Sequence, residues 1–310
     1  MKLLIVNNLV SGYGEGAIYD YIRALAADGD EVVIRSTDGS TDLRRFLADA
    51  GEFDVVVASG GDGTVAAVTY LLADTGIPVL PFPAGTANLL AMNLASPSEP
   101  HALAKLTREG EIMDFDLGEI ELASGERFGF SIMAGAGYDA LIMQGAKPAK
   151  RLLGPMAYFT SALTNPLPQF SRFTIDIDGE VIESEGVGVL IVNFSKIQFD
   201  LPVVHQNLPR DGVFDVAILH TRDAFGLIPA LLASMLDRTG DFPDRTDALE
   251  LHRGRTIAVS ADPPLQVQYD GEVTELTTPF TVRMLPEAAR FIVSEECVRL
   301  YGPDPEGPTA

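Results

Sequence analysis

An apolar run that breaks into glycines around one acidic residue constrains this chain more than any other stretch. Val55–Ala58 is typical of a buried strand, and a helix-like segment begins at about Thr64. Between them lies the turn Ser59-Gly60-Gly61-Asp62-Gly63. Its glycines permit positive φ angles and let a ligand approach the main chain, because no β-carbon stands in the way. The stretch therefore predicts a buried strand that ends in an open turn before a helix.

The amides of such a turn, together with the N-terminus of the following helix, form a site for phosphate. Asp62 at its centre would repel phosphate, so we expect its carboxylate to face a magnesium ion or a nucleotide hydroxyl. The alternative is an ordinary tight strand-to-helix turn, but this interpretation does not explain the acidic residue at its centre.

Strands alternate with helices on both sides of this turn. Apolar spacing predicts strands at 3–6, 32–34, 55–58 and 77–80. It also predicts helices at 17–27 and 64–73, and a further helix that is capped by Thr41 and runs through Leu47. This alternation implies a parallel sheet covered by helices on both faces. Ligands of such sheets bind beyond the carboxyl ends of the strands. Because Asn7, Thr37 and Ser59–Thr64 all fall at those ends, we expect them to share one site.

A proline-rich loop, Pro81-Phe82-Pro83-Ala84-Gly85-Thr86-Ala87-Asn88, follows the fourth predicted strand. Proline stiffens the loop, and Gly85 permits close approach of a ligand. Thr86 and Asn88 carry groups that can hydrogen-bond phosphate or ribose. Thr86 is also a good helix N-cap, so a purely structural loop is an open alternative.

The pattern changes near Asp114, where strand-like segments separated by turn residues such as Asp178-Gly179 replace the alternation. We predict an antiparallel β-rich second domain with helical insertions at about 138–163 and 224–236. The predicted strands are Phe115–Leu122, Phe128–Met133, Phe173–Ile177, Val187–Phe194, Val213–Leu219, Thr256–Val259, Leu265–Tyr269, Phe280–Met284 and Arg290–Val293.

Two Asp-Gly sites in this second half have both a structural and a functional interpretation. Asp270-Gly271 is a strong hairpin signal, but Glu272 directly after it suits a general base that deprotonates a hydroxyl attacking phosphorus. The segment Leu208–Val213 offers the carboxylate of Asp211 and several turned-out carbonyls, a ligand set that hard cations accept. On local grounds a plain turn is the simpler interpretation of both.

Composition excludes several classes of function. The 44 acidic and 22 basic residues give a net charge of −22, so we expect no nucleic-acid partner and no general adsorption to anionic membranes. The single cysteine, Cys297, excludes an intramolecular disulfide. The first residues lack the features of a signal peptide, and the longest apolar stretch, Phe225–Leu236, is too short to span a bilayer. We expect a cytoplasmic protein. A basic–apolar patch at residues 147–153 suits peripheral attachment at the inner membrane face, and a solvated helix end is an open alternative.

Several motifs in a fixed order resemble the diacylglycerol kinase catalytic-domain family, which includes bacterial lipid kinases and sphingosine kinases. Ser-Gly-Gly-Asp-Gly-Thr at 59–64 is similar to its nucleotide-binding signature, and Pro83–Asn88 is similar to its second signature. The resemblance runs from Leu3 to about Val293. Its further landmarks are Gly135–Asp139, Leu153–Tyr158, Asp211–Asp215 and Asp270-Gly271-Glu272.

The resemblance implies ATP-dependent transfer of the γ-phosphate to a lipid hydroxyl by a two-domain protein. Residues 1–115 would form a nucleotide-binding α/β domain with a parallel sheet like that of NAD kinases, and 286–300 would return to it. Residues 116–285 would form an antiparallel β-sandwich that helps to bind lipid, and 302–310 a frayed tail. The implied partner is a lipid substrate at a membrane surface, and a homodimer is left open.

Matched position by position, the resemblance also assigns roles to the candidate residues. Glu272 would be the catalytic base, and Asp62 would act with Mg²⁺ and the phosphates. Asp116 falls where the family has an acid in its magnesium–water network, and Leu208, Asp211 and Val213 fall where bacterial members bind a structural magnesium ion. The residues expected to bind ATP are Asn7, Thr37, Ser59, Gly60, Gly61, Asp62, Gly63, Thr64, Gly85, Thr86 and Asn88.

Departures from the family pattern leave some questions open. Leu89 stands where many members carry a metal-linked aspartate, Asn8 replaces a common proline, and 195–200 lacks the usual glycines. The acceptor is diacylglycerol, a sphingoid base, phosphatidylglycerol or another amphiphilic alcohol. Two other functions compete: an NAD kinase, whose asparagine–glycine–leucine–glycine–phenylalanine segment has no counterpart here, and a non-catalytic sensor of ATP or lipid.

Overall fold

A computed structural model of the chain describes residues 1–11, 16–137, 169–197, 201–202, 207–220, 249–270 and 272–303. Only the main chain is described at 196–197, 201–202 and 272–273. The chain forms two compact units, Met1–Leu117 with the C-terminal residues from Pro286 onward, and Gly118–Leu285. Each unit has its own hydrophobic core.

The first unit is built on five parallel strands with helices between them, as the alternating sequence pattern predicts. In spatial order the strands are β2 (Glu31–Thr37), β1 (Lys2–Asn8), β3 (Val55–Gly60), β4 (Val79–Pro83) and the end of β18 (Phe280–Val293). The helices are α1 (Ala17–Ala27), α2 (Leu43–Phe46), α3 (Asp62–Leu71), α4 (Leu89–Asn93), α5 (Pro100–Glu109) and α6 (Glu295–Tyr301), with a short 3₁₀ turn at Ala50–Glu52.

Apolar side chains of the central strands fill the core of this unit. Residues 3–6 of β1 are completely buried, and Leu3 and Ile5 pack in one cluster with Tyr21 of α1 and Leu103 of α5. A central strand of a parallel sheet is covered on both faces, which is why β1 and β3 are continuous apolar runs in the sequence.

Three helix starts differ from the predictions. Asp42, not Thr41, caps α2, because its carboxylate accepts a hydrogen bond from the amide of Arg44. Helix α3 begins two residues early, at Asp62. Thr86 does not cap α4; that helix begins at Leu89, after an Asn88 whose φ of 52° is left-handed.

The second unit is an antiparallel β-sandwich, which confirms the predicted fold class. One sheet has the order β14 (Leu249–Gly254), β13 (Phe214–Leu219), β10 (Gly188–Val192), β7 (Met133–Gly137), β16 (Gln266–Tyr269) and β17 (Glu272–Thr277). The other contains β9 (Glu180–Gly186), β8 (Ser171–Ile177), β15 (Thr256–Asp262), the start of β18, β5 (Glu111–Leu122) and β6 (Arg127–Phe130), and a separate ribbon pairs β11 (Lys196–Ile197) with β12 (Leu201–Pro202). The core between the two larger sheets includes Phe130, Phe173, Phe214 and Val267.

Strands with polar sequences account for most of the differences in this unit. The strand β9 escaped prediction because Glu180, Glu183 and Glu185 leave it with few apolar residues, and β14 and β17 are similarly polar. The predicted segments 280–284 and 290–293 belong to one continuous strand, β18, whose apolar pattern is interrupted at the exposed Pro286 and Glu287. The Asp178-Gly179 turn between β8 and β9 is confirmed, with both residues at positive φ.

Some predictions lie outside the described residues. These are the helical insertions at 138–163 and 224–236, the basic–apolar patch at 147–153, the landmark Leu153–Tyr158 and most of the tail. Within the part of the chain that the structure describes, no helix is long and apolar enough to cross a membrane.

Candidate functional site

The carboxyl ends of three parallel strands bring Asn7, Thr37 and Ser59 to one edge of the sheet of the first unit, as predicted. Asn7 and Ser59 are paired in register on β1 and β3, and the buried Ser59 hydroxyl donates to Asn7 Oδ1 at 2.9 Å. Thr37 is buried at the end of β2, where its hydroxyl accepts from the amide of Gly39 at 3.0 Å. These side chains therefore fix the ends of the strands on which the glycine turn rests.

The glycine turn requires glycine for close approach and not for its backbone angles. Gly60, Gly61 and Gly85 all lie outside the left-handed region, so the positive φ angles that glycine permits are not used at these positions. A β-carbon on Gly60 would lie 2.5 Å from Cβ of Thr64, and one on Gly85 would lie 2.4 Å from Cα of Gly61. The glycine turn and the proline-rich loop are therefore packed main chain against main chain.

Asn88 closes the proline-rich loop. Its side-chain oxygen accepts from the amide of Gly85 at 2.7 Å, and its side-chain nitrogen donates to the Gly85 carbonyl at 3.0 Å. Both bonds shape the loop, so Asn88 acts on the site through the main chain of Gly85. Thr86 is exposed in the same loop.

Asp62 connects the two loops. It lies in the first turn of α3, and its Oδ1 accepts from the amide of Leu90 in α4 at 3.0 Å. Asp62 thus has a structural role that its sequence context did not reveal. A shallow surface indentation lies beside it, and its lining includes Gly60, Gly61, Pro83 and Asn88.

Asn8 and Ser11 hold the glycine turn from the other side, and neither was selected from the sequence. Asn8 Nδ2 donates to the hydroxyl of Thr64 at 2.8 Å, and Ser11 Oγ accepts from the amide of Gly61 at 3.2 Å. Asn8 is the last residue of β1 and Ser11 follows that strand, so the same edge rule that selected Asn7 would have found them.

Asp116 is only 1% exposed on β5. Its Oδ1 accepts from the amide of Glu287 at 2.9 Å, at a point where φ of Glu287 is 53°. Among the described residues, no group of three or more histidine, cysteine, aspartate or glutamate side chains could hold a metal ion. The magnesium–water network therefore stays a prediction.

The other predicted magnesium set, at Leu208, Asp211 and Val213, forms a turn. The Leu208 carbonyl accepts from the Asp211 amide at 3.3 Å, and Asp211 Oδ1 accepts from the Val213 amide at 3.2 Å. Asp211 Oδ2 is paired with the guanidinium of Arg253, which also bonds Asp215 at 3.1 Å. Burial disfavours the charged guanidinium, but the hydrogen bonds and charges of Asp211 and Asp215 outweigh it and raise the pKa of Arg253.

Because the only carboxylate of that predicted set already has a cationic partner, these residues as arranged do not fit a magnesium ion. The assignment of a metal to Leu208, Asp211 and Val213 remains a prediction from resemblance.

Glu272 is the first residue of β17, and its main chain pairs with Tyr269 of β16. The two strands are antiparallel, so the hairpin predicted at Asp270-Gly271 forms. Asp270 at this corner has φ of 43° and is 5% exposed. Its carboxylate accepts from the amides of residues 131–133 at 2.6, 2.8 and 3.1 Å. The sequence did not predict these three hydrogen bonds of Asp270, because an Asp-Gly pair predicts a hairpin whatever its carboxylate contacts.

The same tripeptide, Asp-Gly-Glu, also occurs at 178–180. There Asp178 likewise has a positive φ of 53°, and Glu180 pairs with Ile177 as Glu272 pairs with Tyr269. Asp178 and Glu180 are exposed, however.

Family models match both parts of the chain. The one for the diacylglycerol kinase catalytic domain matches residues 2–120 and so includes the glycine turn and the proline-rich loop. The one for the YegS C-terminal NAD kinase beta sandwich-like domain matches residues 132–293 and includes Glu272.

Curated relatives and solved structures agree with these matches. A Stenotrophomonas maltophilia protein named "probable lipid kinase YegS-like" is 26% identical over 96% of this chain and 98% of its own length. A Mycobacterium tuberculosis diacylglycerol kinase is 32% identical, but the match covers 57% of this chain and 60% of that relative. An uncharacterized Synechocystis protein is 29% identical, and the chain spans 56% of its length. A crystal structure of a diacylglycerol kinase from Bacillus anthracis has the same fold, with a TM-score of 0.72 at 23% identity over 95% of this chain and 97% of that one.

Proposed function

Because the chain belongs to the lipid kinase family that joins a diacylglycerol kinase catalytic domain to a YegS C-terminal β-sandwich-like domain, we propose that it uses ATP to phosphorylate diacylglycerol. The product is phosphatidic acid. The names of its relatives support a lipid acceptor, and the diacylglycerol kinase of M. tuberculosis favours diacylglycerol among the lipid alcohols.

The close packing of Gly85 against Gly61 is the observation that carries the proposal. It places the main chains of two loops side by side at the carboxyl ends of parallel strands, where β-carbons on Gly60 or Gly85 would collide with the protein itself. Helix α3 begins at the same point, and its first amides favour an anion. This arrangement fits the phosphates of ATP, with Gly60–Thr64 and Thr86 as the residues that would hold them.

The chemistry divides between positioning and proton transfer. When bound, ATP supplies the phosphoryl group. Glu272 accepts the proton of the lipid hydroxyl while the hydroxyl oxygen bonds to the γ-phosphorus and the bond to the bridging oxygen breaks, leaving its electron pair on ADP. Main-chain amides of the glycine turn hold the phosphates in line, because phosphoryl transfer depends mainly on positioning and electrostatic stabilisation. Magnesium stays a prediction from the resemblance, because the described residues contain no group of three or more histidine, cysteine, aspartate or glutamate side chains that could hold a metal ion.

Radiolabelled ATP incubated with a fractionated lipid extract, and separately with NAD, tests the proposal. We expect one labelled lipid that migrates as phosphatidic acid, and none from a matched Asp62→Asn preparation. Label in another lipid alcohol would support lipid kinase activity but would identify that alcohol, and not diacylglycerol, as the acceptor. A preparation that binds ATP but labels no lipid would overturn the proposal in favour of a sensor, and label in NADP would favour an NAD kinase.

A further inference from the structure

The carboxylate of Asp270 makes more hydrogen bonds than a hairpin corner requires. A two-residue corner needs only its backbone angles, which aspartate tolerates. Here three successive amides, of residues 131–133, donate to the Asp270 carboxylate, and its own amide donates to the carbonyl of Met133 at 2.9 Å. The corner that leads into Glu272 is therefore attached to the segment between β6 and β7.

That segment is itself held from its other side. The amides of Asn193 and Phe194 donate to the carbonyl of Ile132 at 2.8 and 3.0 Å. The side-chain amide of Asn193 donates to the carbonyl of Ser131 at 2.8 Å. Residues 131–133 thus present their amides to Asp270, and the carbonyls of Ser131 and Ile132 accept from residues 193–194, in a buried setting.

A buried carboxylate that accepts hydrogen bonds from three successive amides is a rigid anchor, because each bond restricts its position and a buried acceptor without donors is costly. Glu272 lies two residues beyond this anchor, and catalytic groups lose activity when misplaced by about 1 Å. We infer that Asp270 is a positioning residue that fixes the base Glu272 by anchoring the β16–β17 corner to residues 131–133. The inference rests on the proposed function, since it takes Glu272 as the base.

The second Asp-Gly-Glu tripeptide provides a matched control. Asp178 accepts from the amides of Arg255 and Thr256 at 3.0 and 2.8 Å, and its own amide donates to the Thr256 carbonyl at 2.9 Å. The hydrogen bonds are of the same kind, with two donor amides instead of three, but this corner is exposed and carries no proposed base.

A double-mutant cycle tests the inference in the full chain. The proteins are the parent, Asp270→Asn, Glu272→Gln, the double variant and the control Asp178→Asn, each measured for kcat, KM for ATP and melting temperature. Asparagine keeps one acceptor oxygen but turns an NH₂ donor toward the amides.

We expect Asp270→Asn to lower kcat about 10-fold or more, with KM for ATP changed less than about twofold. Asp178→Asn should leave both within about twofold, and on the Glu272→Gln background Asp270→Asn should lower kcat less than about twofold, because the group that it positions is gone.

Equal fold-losses of kcat on both backgrounds would overturn the inference, because they would show a structural role alone. Retention of kcat by Glu272→Gln within a few-fold would instead refute the base assignment in the proposed function. If Asp270→Asn does not fold, Asn193→Ser takes its place in the cycle. This substitution removes the hydrogen bond from the Asn193 side chain to the Ser131 carbonyl and so weakens the hold on residues 131–133. The same dependence on Glu272 would then support the inference, and additive losses would overturn it.

Discussion

The contact between Gly61 and Gly85 is asymmetric. A β-carbon on Gly85 would lie 2.4 Å from Cα of Gly61, whereas a β-carbon on Gly61 would lie 3.8 Å from Cα of Gly85, an ordinary contact distance. Only Gly85 is therefore required by this contact, although both glycines are equally prominent in the sequence.

Gly85→Ala should lower the free energy of unfolding by about 1–3 kcal/mol, because the added methyl group meets rigid main chain. Gly51→Ala is the control, since a β-carbon there would have no atom within 4 Å. Urea unfolding of the two variants and the parent measures the difference. Equal stability of Gly85→Ala and Gly51→Ala would contradict the close packing of the two loops.

Different substitutions separate the structural hydrogen bond of Asp62 from its proposed catalytic role. Asp62→Asn keeps an oxygen that can accept from the Leu90 amide, so we expect near-parental stability and no measurable turnover. Asp62→Ala should lose turnover and also about 1 kcal/mol of stability, the usual contribution of one hydrogen bond. Phosphate transfer and melting temperature are measured on the same preparations. Near-normal turnover by Asp62→Asn would remove Asp62 from the catalytic assignment.

Glu272→Gln should lower the maximal rate by roughly 100-fold or more, because glutamine keeps the shape of glutamate but cannot accept a proton. The dissociation constant for ATP should hardly change, since the glycine turn of the first unit would supply that binding. Glu180→Gln is the matched control, at the same position of the exposed Asp-Gly-Glu corner. Equal maximal rates for Glu272→Gln and Glu180→Gln would contradict the base assignment and would indicate that both corners are plain turns.

Magnesium without nucleotide should leave the melting temperature of the parent unchanged, because Arg253 already occupies the carboxylate of Asp211. Arg253→Met should lower the free energy of unfolding by at most about 1 kcal/mol, as is usual for a partly exposed ion pair. The same variant should have a melting temperature that responds to Mg²⁺. A response of the parent that Asp211→Asn abolishes would instead restore the predicted metal site at Leu208, Asp211 and Val213.

The pair of Arg35 and Asp49 predicts a pH dependence of stability. Two hydrogen bonds from the Arg35 guanidinium, at 2.5 and 2.7 Å, hold the pKa of Asp49 below its ordinary value. Because the unfolded pKa, about 3.9, is higher than the folded one, the pair stabilises the fold above about pH 4 and is lost as the pH falls through the folded pKa. In urea unfolding from pH 3 to 7, the stability of the parent should fall more steeply below about pH 4 than that of Asp49→Asn. Parallel curves would contradict this.

The amino-acid pattern alone was enough to predict the fold class and the edge of the sheet on which the glycine turn lies. Buried parallel strands must be apolar along their whole length, and their carboxyl ends must coincide, so β1 and β3 with Asn7 and Ser59 could be placed without coordinates. The order of the motifs identified the lipid kinase family, which the family matches then confirmed.

Only the tertiary structure decided which residues pack against which. The collision that makes glycine necessary at position 85 involves Gly61, 24 positions earlier in the chain. The cationic partner of Asp211 is Arg253, 42 positions later, and no local pattern encodes such a pair. The two Asp-Gly-Glu tripeptides predict the same hairpin, because turn propensity depends on the tripeptide alone. Their difference lies in the partners: Asp270 is buried against amides about 138 positions away, whereas Asp178 remains at the surface.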